Sequence, residues 1–219
     1  MQTHNKLQTR LLTTDYIIWR LQKEGLFKNI NNQTDDMSNS VIFEKVDLKK
    51  NAKFKICSIM REMSYEFEKL FNNIYVPLVD QLDLKTNNFK DIFFSIALEL
   101  FQVNTNNKST SYFDRFKRRN SNHNGGGGIG FECNWGRIVG IFSFSGCLAV
   151  KSAKIIPFES DPSMIVSWKN IVYNIIDWLT QFLNNEPRIF DWIENNGGWV
   201  GLIDIKLKKK STYFLFYNL

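Results

Sequence analysis

Proline, cysteine and histidine are scarce in this sequence, and each scarcity removes a class of explanation. Only 4 prolines and 12 glycines occur in 219 residues, and four of the glycines form one run, Gly125 to Gly128. Breakers are therefore thin elsewhere, leaving room for long uninterrupted helices. The 3 cysteines, Cys57, Cys133 and Cys147, are odd in number and lack metal-ligand spacing, and the 2 histidines, His4 and His123, lie in polar segments away from them. No metal site and no cofactor is expected, and a reducing, cytosolic setting fits better than a disulfide framework. The start, MQTHNKLQTR, has no apolar stretch of signal-peptide type. A catalytic set is lacking too: both histidines fall outside the predicted helices, no GxSxG motif occurs, and the carboxylates sit singly on helix faces. The glycine run is not followed by GK[ST], so it is no phosphate loop. These absences argue against an enzyme. The net charge of +6 does not argue for nucleic acid, because much of it sits in two short clusters, Arg115 to Arg119 and Lys206 to Lys210, read as solvated loop and tail charge.

What the chain does have is apolar mass: 43% hydrophobic residues, with 19 Phe and 6 Trp, enough for one domain with one core. A first helix of about three turns is predicted from Thr14 to Leu26, ending near Gly25. Residues 29–40 are polar and read as a solvated loop. Ile56, Met60, Met63, Phe67, Leu70 and Ile74 recur at intervals of four and three, one stripe on one helix. A short helix is expected around Leu78 to Leu84, after Pro77, and a further periodic helix carries Phe89, Ile92, Phe93, Ile96 and Leu100. Residues 104–130 are rich in Asn, Ser and Gly and read as a disordered insertion. Ile138 to Val150 contains no charge, as a helix buried on all sides should, and at 13 residues is too short to span a bilayer. Asp161-Pro162 is expected to open a long helix as cap and first position, Pro187 a shorter one, and Gly197-Gly198 to end that one before Trp199.

Arg137 is the odd residue. With Asn134 as the cap of the buried helix, Arg137 falls in its first turn, where the macrodipole disfavours a cation by about 0.3 to 1 kcal/mol. A carboxylate should compensate, either from this chain or from a ligand; the residues alone leave both open.

Asn134-Trp135-Gly136-Arg137-Ile138-Val139, running on to Phe142-Ser143-Phe144-Ser145-Gly146, resembles the first homology region of the Bcl-2 family of apoptosis regulators, and Trp192 to Trp199, WIENNGGW, resembles the second. Asp15-Tyr16-Ile17-Ile18 through Gly25 is similar to the fourth region, and Glu99-Leu100-Phe101 to the end of the helix before the first. Met60 to Phe67 keeps the apolar spacing of the third region but carries Tyr65 where the death-promoting segments carry aspartate. Two further departures are the 104–130 insertion and an end, Lys206 to Leu219, too short for the usual membrane anchor.

The resemblance implies an all-α bundle of seven to eight helices around a buried central helix, as one domain over residues 1–206 with a basic and aromatic tail at 207–219. It implies a surface groove lined by Phe67, Phe71, Ile74, Leu78, Ile96, Leu100, Gly140 and Phe144. Gly136 would admit the ligand backbone, and Arg137 beside Asn134 would pair with the ligand's aspartate. The implied partners are amphipathic helices of pro-apoptotic relatives, and the implied role is pro-survival, in the cytoplasm and at the mitochondrial outer membrane. Peripheral contact with that membrane or the endoplasmic reticulum is expected from the basic end. The alternatives are a pore-forming effector of the same family and a membrane-surface scaffold.

Overall fold

Helix α5 (Trp135–Ile155) takes the central position that its charge-free run predicts. Every residue from Trp135 to Val150 is buried in the computed structural model, which describes residues 2–26, 52–82, 89–104, 129–155 and 162–208. A helix buried on all sides has no water for its polar side chains, and here the serines are satisfied by carbonyls. Ser143 donates to the carbonyls of Val139 (2.9 Å) and Ser64 (2.8 Å), Ser145 to Ile141 (2.8 Å) and Ser152 to Leu148 (2.8 Å).

Packed directly against α5 are α1 (Gln2–Lys23), α2 (Ala52–Leu70), α3 (Asn72–Asp80) and α6 (Pro162–Asn185). Helices α4 (Phe89–Glu99) and α7 (Pro187–Asn195) pack on α6, and α8 (Gly201–Lys208) packs on α2. The described residues thus hold eight α-helices, seven of them arranged about the buried α5. Gly197 and Gly198 both adopt positive φ (87° and 62°), which ends α7 and turns the chain into a single 3-10 turn, Gly198–Val200, that leads directly into α8. That turn delivers Trp199 to the core, where its indole meets Trp135 (centroids 5.9 Å) and Phe142 (6.1 Å), and its Nε1 donates to Thr9 Oγ1 at 3.0 Å. Trp135 also meets Trp192 edge-on at 5.3 Å, so the tryptophans of both motifs converge at one place.

Four expectations need correction. Helix α1 begins at Gln2 rather than Thr14, and His4 therefore lies on a helix. Its first half is held partly by buried polar groups rather than an apolar stripe: Thr9 receives the Trp199 indole, and the Thr13 hydroxyl contacts Thr180 Oγ1 at 2.7 Å. The stripe from Ile56 to Ile74 is not one helix, because Phe71 leaves helical geometry (φ −112°, ψ 19°) and starts α3. Helix α3 then runs through Pro77 to Asp80, in place of a separate helix starting at Leu78. Burying Tyr75 and Val79 at about 1.5 to 3 kcal/mol each offsets the ~3 kcal/mol that a proline costs in a helix.

The insertion is also narrower than read from composition. Its ends form an antiparallel ribbon of β1 (Gln102–Asn104) and β2 (Ile129–Phe131), with Gln102 opposite Phe131 and Asn104 opposite Ile129. Phe101 stacks on Phe131 (5.7 Å, 13°), and the Glu132 N–H donates to the Phe101 carbonyl at 2.8 Å. Apolar contact at its base makes the ribbon, which the polar composition of the segment conceals. Residues 105–128, with the Arg115 to Arg119 cluster, His123 and the glycine run, lie outside the described residues, as do loop 29–40, Asp161 and 209–219. Helix α8 runs to Lys208, and its Lys206 pairs with Glu62.

Candidate helix-binding groove and arginine site

The start of α5 is built as the sequence predicts. Asn134 Oδ1 accepts the backbone N–H of Arg137 at 2.9 Å, and its carbonyl accepts that of Ile138 at 3.1 Å, a side-chain cap on the first turn. The Arg137 side chain is buried, 2% exposed. Its Nη1 donates to the Leu100 carbonyl at 2.5 Å, which satisfies one of the orphan carbonyls after α4, and its Nη2 donates to Glu132 Oε2 at 3.3 Å. The compensating carboxylate left open by the sequence is therefore supplied internally, by a Glu132 that is itself 48% exposed. Arg137 Nε is buried with no partner among the described residues.

The remaining expected wall residues gather around one aromatic layer. Gly140 has no side chain where Phe67 and Tyr75 come in: a Cβ there would lie 3.3 Å from Phe67 Cζ and 3.4 Å from Tyr75 Oη. The Tyr75 hydroxyl donates to the Gly140 carbonyl at 3.2 Å. Phe67 packs on Phe71 (4.5 Å) and Tyr75 (6.0 Å), and Phe144 lies between Tyr75 of α3 (6.3 Å) and Phe93 of α4 (6.0 Å). Phe67, Phe71, Gly140 and Phe144 are thus brought together, as are Asn134, Arg137 and Leu100. Ile96 is buried on α4, while Ile74 and Leu78 are half-buried along α3.

Of the eleven expected residues, only Phe71, Ile74, Leu78 and Asn134 reach the surface; Phe67, Ile96, Leu100, Gly136, Arg137, Gly140 and Phe144 are buried. The floor is covered by Tyr75 and Phe93, which sequence reasoning did not assign to the site. Glu132 was missed as well, although its place two residues before Asn134 was a usable signal. Burial pushes the Tyr75 phenol well above its ordinary range, with smaller contributions from Cys147 and Glu68, so Tyr75 stays a hydrogen-bond donor at neutral pH. Among the described residues, no group of three or more His, Cys, Asp or Glu could hold a metal ion, and no helix is long and apolar enough to cross a membrane.

The family profile described as "Apoptosis regulator proteins, Bcl-2 family" matches residues 59–199, the stretch from within α2 to the Trp199 turn. The chain belongs to the Bcl-2 family. Among curated relatives it is similar to Bcl-2-like protein 1 of Gallus gallus, 28% identical over 67% of this chain and 46% of the relative. The apoptosis regulator Bcl-2 of Gallus gallus is 36% identical over 33% of this chain and 25% of the relative. The chain thus spans less than half the length of the curated Bcl-2-family relatives it matches. In fold it is similar to chicken BOK (TM-score 0.59, 16% identity, 94% of this chain and 97% of that one). Trichoplax adhaerens trBcl-2L2 bound to trBak BH3 is similar at TM-score 0.57 and 19% identity, over 91% of this chain and 97% of that one. The zebra-fish pro-survival protein NRZ matches at TM-score 0.54 and 18% identity, over 95% and 97%. The architecture is accordingly the Bcl-2 fold, and the family to which the chain belongs is described as one of apoptosis regulators.

Proposed function

We propose that this protein is a pro-survival, non-enzymatic Bcl-2 family member that takes the amphipathic death-segment helix of a pro-apoptotic relative into a cleft between α3 and α4, and so prevents mitochondrial outer-membrane permeabilisation. Helix-in-groove recognition is a mode of which this family is itself a standard example. The observation that carries the reading is the buried Arg137 at the end of an aromatic layer, held by a capped helix and with Nε unpartnered among the described residues. A guanidinium so placed favours an aspartate at the end of an apolar helix stripe. The similar Trichoplax protein bound to a BH3 segment supports the same class of partner.

Binding requires the covered floor to open. Helix α3 is the element suited to move, since it spans nine residues with a proline inside and buries only Tyr75 and Val79. Its displacement would expose Phe67, Gly140 and Phe144 to the ligand, while Phe71, Ile74 and Leu78 already reach the surface. The pro-survival direction rests on the fourth-region resemblance in α1, on the Phe-Ser-Phe-Ser-Gly run, and on Tyr65. Tyr65 is engaged with Lys23 (3.4 Å from the ring centroid) and edge-on with Trp19 of α1 (6.0 Å), which ties that face of α2 to α1 rather than presenting it as a death ligand. Peripheral membrane contact through Lys206 and Leu207 at the end of α8 completes the proposed cytoplasmic and mitochondrial setting; Leu207 is 65% exposed.

The experiment is binding of a panel of death-segment peptides, followed by dye release from liposomes challenged with a pore-forming relative. Peptide binding together with suppression of leakage is the expected result. Leakage caused by this protein itself would replace the reading with an effector. Binding to anionic liposomes with no peptide bound at micromolar concentration would replace it with a membrane-surface scaffold.

A further inference from the structure

We infer that Glu132 is an internal competitor for the ligand's carboxylate, a specificity-determining residue built into the stem of the insertion. The inference rests on the groove reading above. Its carboxylate takes one donor of the arginine assigned to the ligand and one of the neighbouring cap residue: Oε2 accepts from Arg137 Nη2 at 3.3 Å, and Oε1 accepts from Asn134 Nδ2 at 3.4 Å. The position is fixed from behind. The Glu132 N–H is held by the Phe101 carbonyl at 2.8 Å, and Phe131 is stacked on Phe101 while the Arg188 guanidinium lies 3.9 Å over its ring. The backbone is thus anchored on both sides of the β1–β2 stem, while the carboxylate is 48% exposed and free to swing out.

The electrostatics follow from the count of charges. Arg137 carries one positive charge in a site that is 2% exposed, and Glu132 already balances it. An incoming aspartate must displace that carboxylate or bind beside a like charge, and either costs affinity. The contact is long at 3.3 Å and its carboxylate half is 48% exposed, so the competitor lowers affinity without blocking it. It therefore raises the apolar complementarity a helix needs before it is retained.

The test compares the whole protein with its Glu132→Gln variant, using two peptides: an amphipathic death-segment helix with aspartate at the pairing position, and the same helix with asparagine there. The aspartate peptide should bind the variant about fivefold more tightly than the parent, with little change for the asparagine peptide. A second readout needs no peptide. Modification of Arg137 by phenylglyoxal, followed by mass mapping, should run several-fold faster in Glu132→Ala than in the parent. Binding of both peptides with an unchanged aspartate preference, or equal Arg137 reactivity, overturns the competitor role and leaves the groove reading intact. Faster Arg137 modification with no peptide bound by either protein overturns the groove reading and with it the competition, while the Glu132 shield over Arg137 stands.

Discussion

The Arg20–Glu68 pair between α1 and α2 should dominate the stability of the α1–α2 side. Arg20 Nε and Nη2 donate to Glu68 Oε2 and Oε1 at 2.8 and 2.5 Å, and the two side chains are only 7% and 10% exposed. A third donor, Nη1, reaches Glu24 at 2.8 Å. Replacing Glu68 by Ala leaves a guanidinium inside the protein with Glu24 as its remaining carboxylate. Breaking a buried pair from one side costs about 3 to 5 kcal/mol, and the surviving Glu24 contact places this case near 3. For a chain of this size about 1 kcal/mol shifts the melting temperature by roughly 2 to 4 °C, so a drop of about 6 to 12 °C is expected. Removing both partners together, as Arg20→Met with Glu68→Leu, takes away the uncompensated charge and should recover most of that loss. Thermal unfolding followed by circular dichroism measures all three proteins. A drop below about 2 °C in Glu68→Ala, or a double variant no more stable than the single, would refute the reasoning.

Two further outcomes follow from the same region. Glu24 accepts from Lys154 Nζ (2.9 Å) and Arg20, and these hydrogen bonds hold its carboxyl below the ordinary value of 4.5. Because the folded value is the lower one, its stabilisation is present above pH ~4.5 and disappears as pH falls through the folded value. The melting-temperature gap between the parent and Glu24→Gln should therefore be open at neutral pH and close on acidification below that point; a gap independent of pH would contradict the assignment. Gly146 faces α1 so closely that a Cβ would sit 2.8 Å from Tyr16 Oη and 3.2 Å from Arg20 Cγ, so Gly146→Ala should destabilise by about 1 to 3 kcal/mol in urea unfolding. An unchanged midpoint there would show that α1 yields freely, against the close α1–α5 packing described above.

How legible this was in the sequence varied by element. The central helix could be read outright, since a run without charge has one comfortable place in a folded chain. Asn134 and Arg137 could be read as a cap and a misplaced cation, but not the internal carboxylate that answers the cation. Glu132 sits at the end of a strand made by contacts between Phe101 and Phe131, residues 30 apart in sequence, and such pairing leaves no local pattern. The break at Phe71 was hidden because the apolar spacing continues across it, from Phe67 on α2 to Ile74 on α3. That concealment also hid Tyr75: on one continuous helix it falls off the stripe, whereas on a reoriented α3 it turns inward and bonds Gly140. Polar burial escaped for a similar reason. Thr9, Thr13, Arg20 and Glu68 look like surface residues on a wheel, and only the arrival of Trp199, Thr180 and one another makes them interior.

The proposal that Arg137 receives a partner's aspartate is tested most directly by a double-mutant cycle in titration calorimetry, pairing parent and Arg137→Ala protein with a death-segment peptide and its aspartate-to-alanine form. Each single change is expected to weaken binding by about 2 to 5 kcal/mol, and the two together by clearly less than their sum, because both remove the same contact. Losses that simply add, or a peptide affinity indifferent to Arg137, would contradict the account.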